Sequence, residues 1–157
     1  TGIYSFYAAY KGCKTVGIDN CPNAISKANK MANKHNASSS FAYLDLFNDN
    51  PVEMYEYGKP PERFSSEMVI APALIHHMFR KEGDIQKIIN KIISYGDTAV
   101  AIEYIPHNDI HINKASCDWY SLQQITDALE QNNYDVAIKD SEPDGRKWLF
   151  ATRSDSK

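Results

Sequence analysis

Three cysteines, Cys13, Cys21 and Cys117, are all the sulfhydryls in this 157-residue sequence, and none stands in a CxxC pair. An odd count without that spacing speaks against a disulfide framework and points to free thiols in a reducing compartment. No apolar run approaches the roughly 18 residues that a membrane-spanning helix needs. No secretory leader pattern is visible either, so a cytoplasmic location is expected. Positive charge is not in excess, with 17 Lys and Arg against 20 Asp and Glu, for a formal charge of −3. Sequence-blind nucleic-acid binding needs a basic surface that displaces counterions, and this balance argues against it. The lysines that do cluster, Lys11, Lys14, Lys27, Lys30 and Lys34, read as a solvated helix face. Internal repeats and low-complexity segments are absent, and the length suits one domain.

What is present is an alternation of apolar runs and helical patterns, the mark of βα units around a parallel sheet. Residues 1–11 read as a short helix ending at Gly12. Lys14 to Asp19 reads as a buried strand closed by an acid. Asn20 is placed to cap a helix in which Pro22 needs no intrahelical donor. Its apolar residues Ala24, Ile25, Ala28, Met31 and Ala32 share one face. Ser39 to Leu44 forms a second strand, again closed by an acid, Asp45. Asn48 to Arg63 is proline-rich and irregular, and long for a connection. Glu67 to Leu74 reads as a third strand that runs into His76 and His77. A helix capped by Asp84 follows, with Ile85, Ile88, Ile89, Ile92 and Ile93 as its apolar stripe and Gly96 as a positive-φ stop. Thr98 to Ile105 is the fourth strand and contains Glu103. Ser121 and Gln124 form a capping box for a last helix. Tyr134 to Lys139 and Lys147 to Thr152 flank a turn signal at Glu142 to Gly145 and predict a β-hairpin.

Acids at the carboxyl ends of successive strands are where a doubly wound sheet binds a nucleoside. Asp19 in that position suits two ribose hydroxyls, and Asp45 suits an adenine amino group. A strand-end Asp also serves as a helix cap or turn residue, and each acid alone carries little weight. Their interval and architecture together favour a cofactor.

Five segments resemble class I S-adenosylmethionine-dependent methyltransferases, in particular a nodulation-protein-like subgroup. TGIYSFYAAYKGCKTVGIDNCPNAISKANKMANKHN is similar to the segment that follows the first methyltransferase motif, with Thr1 and Gly2 matching the end of its Gly-rich turn. YLDLF (Tyr43 to Phe47) resembles the adenine-site motif. MVIAPALIHHMF resembles the subgroup's fourth motif with its ALIHHL, AIEYIPHND resembles an EFVP…D segment, and SEPDGRKWLFATR resembles the closing hairpin. The resemblance implies a Rossmann-like three-layer sandwich whose mostly parallel sheet ends in an antiparallel C-terminal hairpin. It also implies that a first strand and Gly-rich turn are missing ahead of residue 1, the strand belonging between those that end at Asp19 and near His76. A natural protein longer at its N-terminus is therefore expected, with weak cofactor binding by this piece.

The implied function is methyl transfer from S-adenosylmethionine. Gly2, Asp19, Asp45, Leu46 and Ala73 would hold the cofactor, while His76, His77 and Glu103 would line the acceptor side. An imidazole there could take a proton near neutral pH. His107, Asp109 and His111 would share a face if their segment were extended, but they read as loop residues and no metal is assigned. Arg146 and Trp148 match the family and read as structural. An Asn/Asp-Pro-Pro-aromatic signature is absent, which favours a small-molecule or protein acceptor over DNA bases. Two other readings remain open. One is a nicotinamide-dependent oxidoreductase, against which the closing hairpin speaks. The other is a non-catalytic methyltransferase-like scaffold. Acceptor and oligomeric state are not legible.

Overall fold

The structure, a computed structural model, describes residues 2–47, 59–109, 120–142 and 145–154. Thr1, most of the proline-rich stretch, His111, Cys117, Pro143 and Asp144 lie outside these residues. The chain divides into two compact units, Thr1–Lys59 and Pro60–Lys157.

In the first unit, helix α1 (Ile3–Tyr10) leads into strand β1 (Thr15–Asp19), helix α2 (Pro22–Lys34) and strand β2 (Ser39–Tyr43). β1 and β2 pair in parallel, from Thr15 opposite Ser39 to Asp19 opposite Tyr43. Side chains alternate across a strand, and the face with Gly17 and Phe41 receives both helices. Phe41, Ala28 and Ala32 form the buried cluster, with Phe6, Ile25 and Ala37 against it. Asn29 fastens α2 to β2, its side-chain amide donating to Phe41 O at 3.0 Å while its oxygen accepts from Phe41 N at 3.2 Å. The expectation of a buried β1 holds for one face only. Val16, on the other face, stays 50% exposed, because both helices lie against the opposite side. The start of α2 also differs: Cys21, not Asn20, occupies the N-cap position, with Pro22 just inside the helix.

The second unit opens with a single helical turn, α3 (Pro60–Arg63), at the end of the stretch expected to be irregular. Strand β3 (Ser66–Ala71), helices α4 (Ile75–Glu82) and α5 (Ile85–Ile93), strand β4 (Gly96–Tyr104), helix α6 (Leu122–Glu130) and strands β5 (Tyr134–Asp140) and β6 (Lys147–Arg153) follow. The strand order is β3-β4-β6-β5. β3 and β4 are parallel, β4 and β6 antiparallel, and β5 and β6 form the antiparallel hairpin. The isoleucine stripe of α5 is buried throughout, packed with Val100, Ile102, Leu149 and Ala151 of one sheet face, none more than 2% exposed. The opposite face presents Met68, Ile70 and Phe150, all partly exposed.

Three boundaries differ from the sequence-based expectation. β3 ends at Ala71 because Pro72 has no N–H for the ladder, and Ala73 turns the chain with φ of 45°. The following residues, His76 and His77 included, form α4 instead of prolonging the strand. Gly96 does not stop α5 in the left-handed region but opens β4, where an added Cβ would meet Val69 Cγ2 at 3.1 Å. The positive-φ stop is Gly83, at the end of α4. Among the described residues β1 pairs only with β2, and β3 only with β4.

Candidate functional site

The first unit carries four of the residues expected to hold a cofactor. Gly2 stands at the N-cap of α1 with φ of 76°. Its carbonyl accepts from Phe6 N at 2.9 Å. A Cβ there would meet Phe41 Cε1 at 2.6 Å, so dihedral and packing both require glycine. Asp19 ends β1 half-buried, and its Oδ1 accepts from Cys21 N at 2.8 Å. Asp19 thus closes a local turn ahead of α2, which has no side-chain cap; this occupies one oxygen and leaves Oδ2 for a ligand donor. Asp45, after β2, closes a local turn by accepting from Phe47 N at 3.2 Å. Leu46 lies within that turn, half-buried. These groups fit a nucleoside in type: carboxylate acceptors at strand ends and a backbone turn that no side chain obstructs.

The second unit carries the rest. Ala73 holds a left-handed conformation that costs a non-glycine residue on the order of 1 kcal/mol. His76 and His77 open α4, with ring centroids 4.0 Å apart. His76 is buried and His77 exposed. Burial first, then the positive charges of His77, Arg80 and Arg146 against the opposing pull of Asp109, lower the pKa of His76 to about 4. This shift removes from His76 the proton uptake near neutral pH expected of an imidazole.

Glu103 lies near the end of β4, and beside it is the arrangement that sequence reasoning missed. Arg146 Nε donates to Asp109 Oδ2 at 2.7 Å and Nη2 to Asp109 Oδ1 at 3.3 Å. Its Nη1 donates to Glu103 Oε1 at 3.3 Å. The Asp109 and Glu103 side chains are 0% and 7% exposed and that of Arg146 is 16% exposed. Paired mainly with Asp109, Arg146 has its pKa raised further and stays charged. In the sequence Arg146 and Trp148 read as structural; only the hairpin register, which sets Glu103 opposite Trp148, draws Arg146 to this spot. Around the cluster, Tyr120 donates its hydroxyl to Ile105 O at 3.3 Å and meets Phe79 and Tyr104 edge-on. Burial raises the pKa of both tyrosines.

His111 lies outside the described residues, and the part of that segment that is described is not extended. Asp109 N donates to Pro106 O at 3.0 Å, a turn, and the Asp109 carboxylate is taken by Arg146. No group of His, Cys, Asp or Glu able to hold a metal occurs among the described residues. Cys13 and Cys21 are free and exposed. Among the described residues no helix is long and apolar enough to cross a membrane.

No family model matches the chain, and no curated protein does. Solved structures do. WbdD, in a co-crystal with the kinase inhibitor LY294002, matches at a TM-score of 0.66 and 14% identity, over 97% of this chain and 33% of that one. A structure concerning conversion of a disulfide bond into a thioacetal group during echinomycin biosynthesis matches at 0.65 and 17%, over 97% of this chain and 72% of that one. A methyltransferase from Pyrococcus furiosus matches at 0.62 and 11%, over 98% and 70%. This chain thus spans about a third, 33%, of the WbdD chain, which is elsewhere described as a bifunctional kinase-methyltransferase. At such identities the likeness carries the fold alone, a mixed α/β Rossmann-like architecture.

Proposed function

We propose that this chain is the larger part of an S-adenosylmethionine-dependent methyltransferase domain acting on a small-molecule or protein acceptor. The observation that carries the reading is the strand order β3-β4-β6-β5 with its antiparallel hairpin; in the other unit, the parallel strands β1, which ends at Asp19, and β2, which Asp45 follows, agree with it. A dehydrogenase half has no such hairpin. The resemblance to the nodulation-protein-like subgroup also sets a strand and a Gly-rich turn ahead of Gly2. That β1 pairs only with β2 among the described residues, and that Val16 is exposed, support that part of the reading. Both units would serve one domain.

When bound, S-adenosylmethionine supplies an electrophilic methyl group on a sulfonium. The chain's own work is then positioning and exclusion of water. Asp19 Oδ2 accepts from ribose hydroxyls, Asp45 accepts from the adenine amino group and Leu46 packs beside it. The turns at Gly2 and Ala73 let the backbone approach a ligand. His77 and Glu103 are the groups placed to take a proton from the acceptor. His76, uncharged at neutral pH, contributes a hydrogen bond.

Equilibrium dialysis with labelled S-adenosylmethionine against labelled NAD tests the cofactor class. Retention of the sulfonium compound at least about tenfold more tightly is expected, a difference of about 1.4 kcal/mol. Preference for NAD would contradict the reading in favour of an oxidoreductase.

A further inference from the structure

We propose that Arg146 is the positioning residue of the acceptor side, clamping Asp109 and one oxygen of Glu103 so that Glu103 Oε2 stands as the acceptor for a ligand N–H or O–H. The ligand's identity as a methyl acceptor rests on the function proposed above; the clamp does not. Three separate stretches of chain deliver its members: Glu103 from β4, Asp109 from the turn after it, and Arg146 from the lead into β6. A structural tie between that turn and the hairpin would need only the two-pronged Arg146–Asp109 pair, which is already neutral. Glu103 adds a second carboxylate that is 7% exposed, and its one hydrogen bond is the Arg146 contact at Oε1. Among the described residues nothing donates to Oε2. Oε2 is therefore an accessible carboxylate oxygen on a side chain that the Arg146 contact holds in place, open to a donating ligand. An acceptor oxygen selects the ligand's chemistry: a group that donates, a hydroxyl or a protonated amine, fits it. Arg80 and His77, also close to His76, lie at the outer end of the cluster and are exposed.

The test uses NMR on the intact chain without cofactor, reading the side-chain carboxyl carbons and the histidine ring signals. Methylammonium chloride is the probe, with sodium acetate at equal ionic strength as control. A saturable shift of the Glu103 carboxyl signal is expected with methylammonium, absent with acetate and absent in Glu103→Gln. Arg146→Lys keeps the charge and loses the fork, so the apparent methylammonium affinity should fall about fivefold, the loss of roughly one hydrogen bond, while His76 titrates as before. Arg146→Gln removes the charge, so His76 should titrate slightly above its value of about 4, burial remaining the main cause of its lowering; this arm reports only that the charge lies close. Glu103→Gln should leave His76 in place, since Glu103 is not among the groups that move it. A merely structural Arg146 would alter stability and leave the methylammonium response of Arg146→Lys undiminished. If Arg146→Gln does not fold, Arg146→Lys decides alone. An undiminished methylammonium response in Arg146→Lys, or none in the unaltered chain, overturns the proposal. Cofactor binding plays no part in these readouts, so a failure of the methyltransferase reading leaves a distinct signature.

Discussion

Asp19 Oδ1 accepts from Cys21 N and closes the turn that leads into α2, a hydrogen bond that contributes about 1 kcal/mol. Asp19→Asn keeps that acceptor, so its urea midpoint should lie near that of the unaltered chain, while Asp19→Ala should lose about 1 kcal/mol. A drop of equal size in both would show that the charge, not the turn, matters for folding. His76 sets a second expectation at this scale. Its folded pKa, about 4, lies below the ordinary 6.5, so between these values the unfolded chain binds more protons. Stability is then full above pH 6.5 and is lost progressively as the pH falls towards 4. His76→Gln should flatten that part of the stability–pH curve, measured by urea unfolding at closely spaced pH. A slope unchanged by the substitution would assign the loss to other groups.

At the scale of elements, close packing decides what the strands and helices tolerate. A Cβ at Gly17 would meet Phe41 Cδ1 at 2.4 Å, and the Phe41 ring cannot swing away because it fills the only buried cluster described in its unit. Gly17→Ala should therefore cost about 1–3 kcal/mol, read from the urea midpoint of amide signals in residues 2–47. A neutral result would mean that the ring relocates freely. Ser121 accepts from Gln124 N at 3.1 Å while Gln124 Oε1 accepts from Ser121 N at 2.7 Å. Ser121→Ala should lose about 1 kcal/mol, with the early exchange of α6 amides as the check.

The capping box, the isoleucine stripe of α5 and the closing hairpin were legible in the sequence because each is a local pattern with a fixed period. Helix α4 was not, since MVIAPALIHHMF is apolar enough to read as continuous strand, and only Pro72 with the positive φ at Ala73 divides it. Gly96 was misread because a glycine after a helix usually serves dihedral freedom, whereas here it makes room for Val69. The acids at Asp19, Asp45 and Glu103 stood out as strand-end carboxylates. Their partners did not, for Arg146 lies 43 residues from Glu103 and 37 from Asp109 along the chain, a separation that no local pattern carries.

At the scale of the molecule, the strands among the described residues form one sheet of two and one of four, and the apolar side chains exposed on them, Val16 on β1 and Met68 and Ile70 on β3, are the kind that further structure covers. A methyltransferase domain completed by a strand and Gly-rich turn ahead of Gly2 would account for them. The most direct test of that central claim is calorimetric titration of S-adenosylhomocysteine into this chain and into the same chain extended by that strand and turn. The account predicts binding by the extended form, weaker binding by the present chain, and loss of at least about tenfold in affinity, about 1.4 kcal/mol, on Asp19→Ala or Asp45→Ala. No heat of binding from a well-folded extended form would contradict the enzyme reading and leave a methyltransferase-like fold that serves as a scaffold.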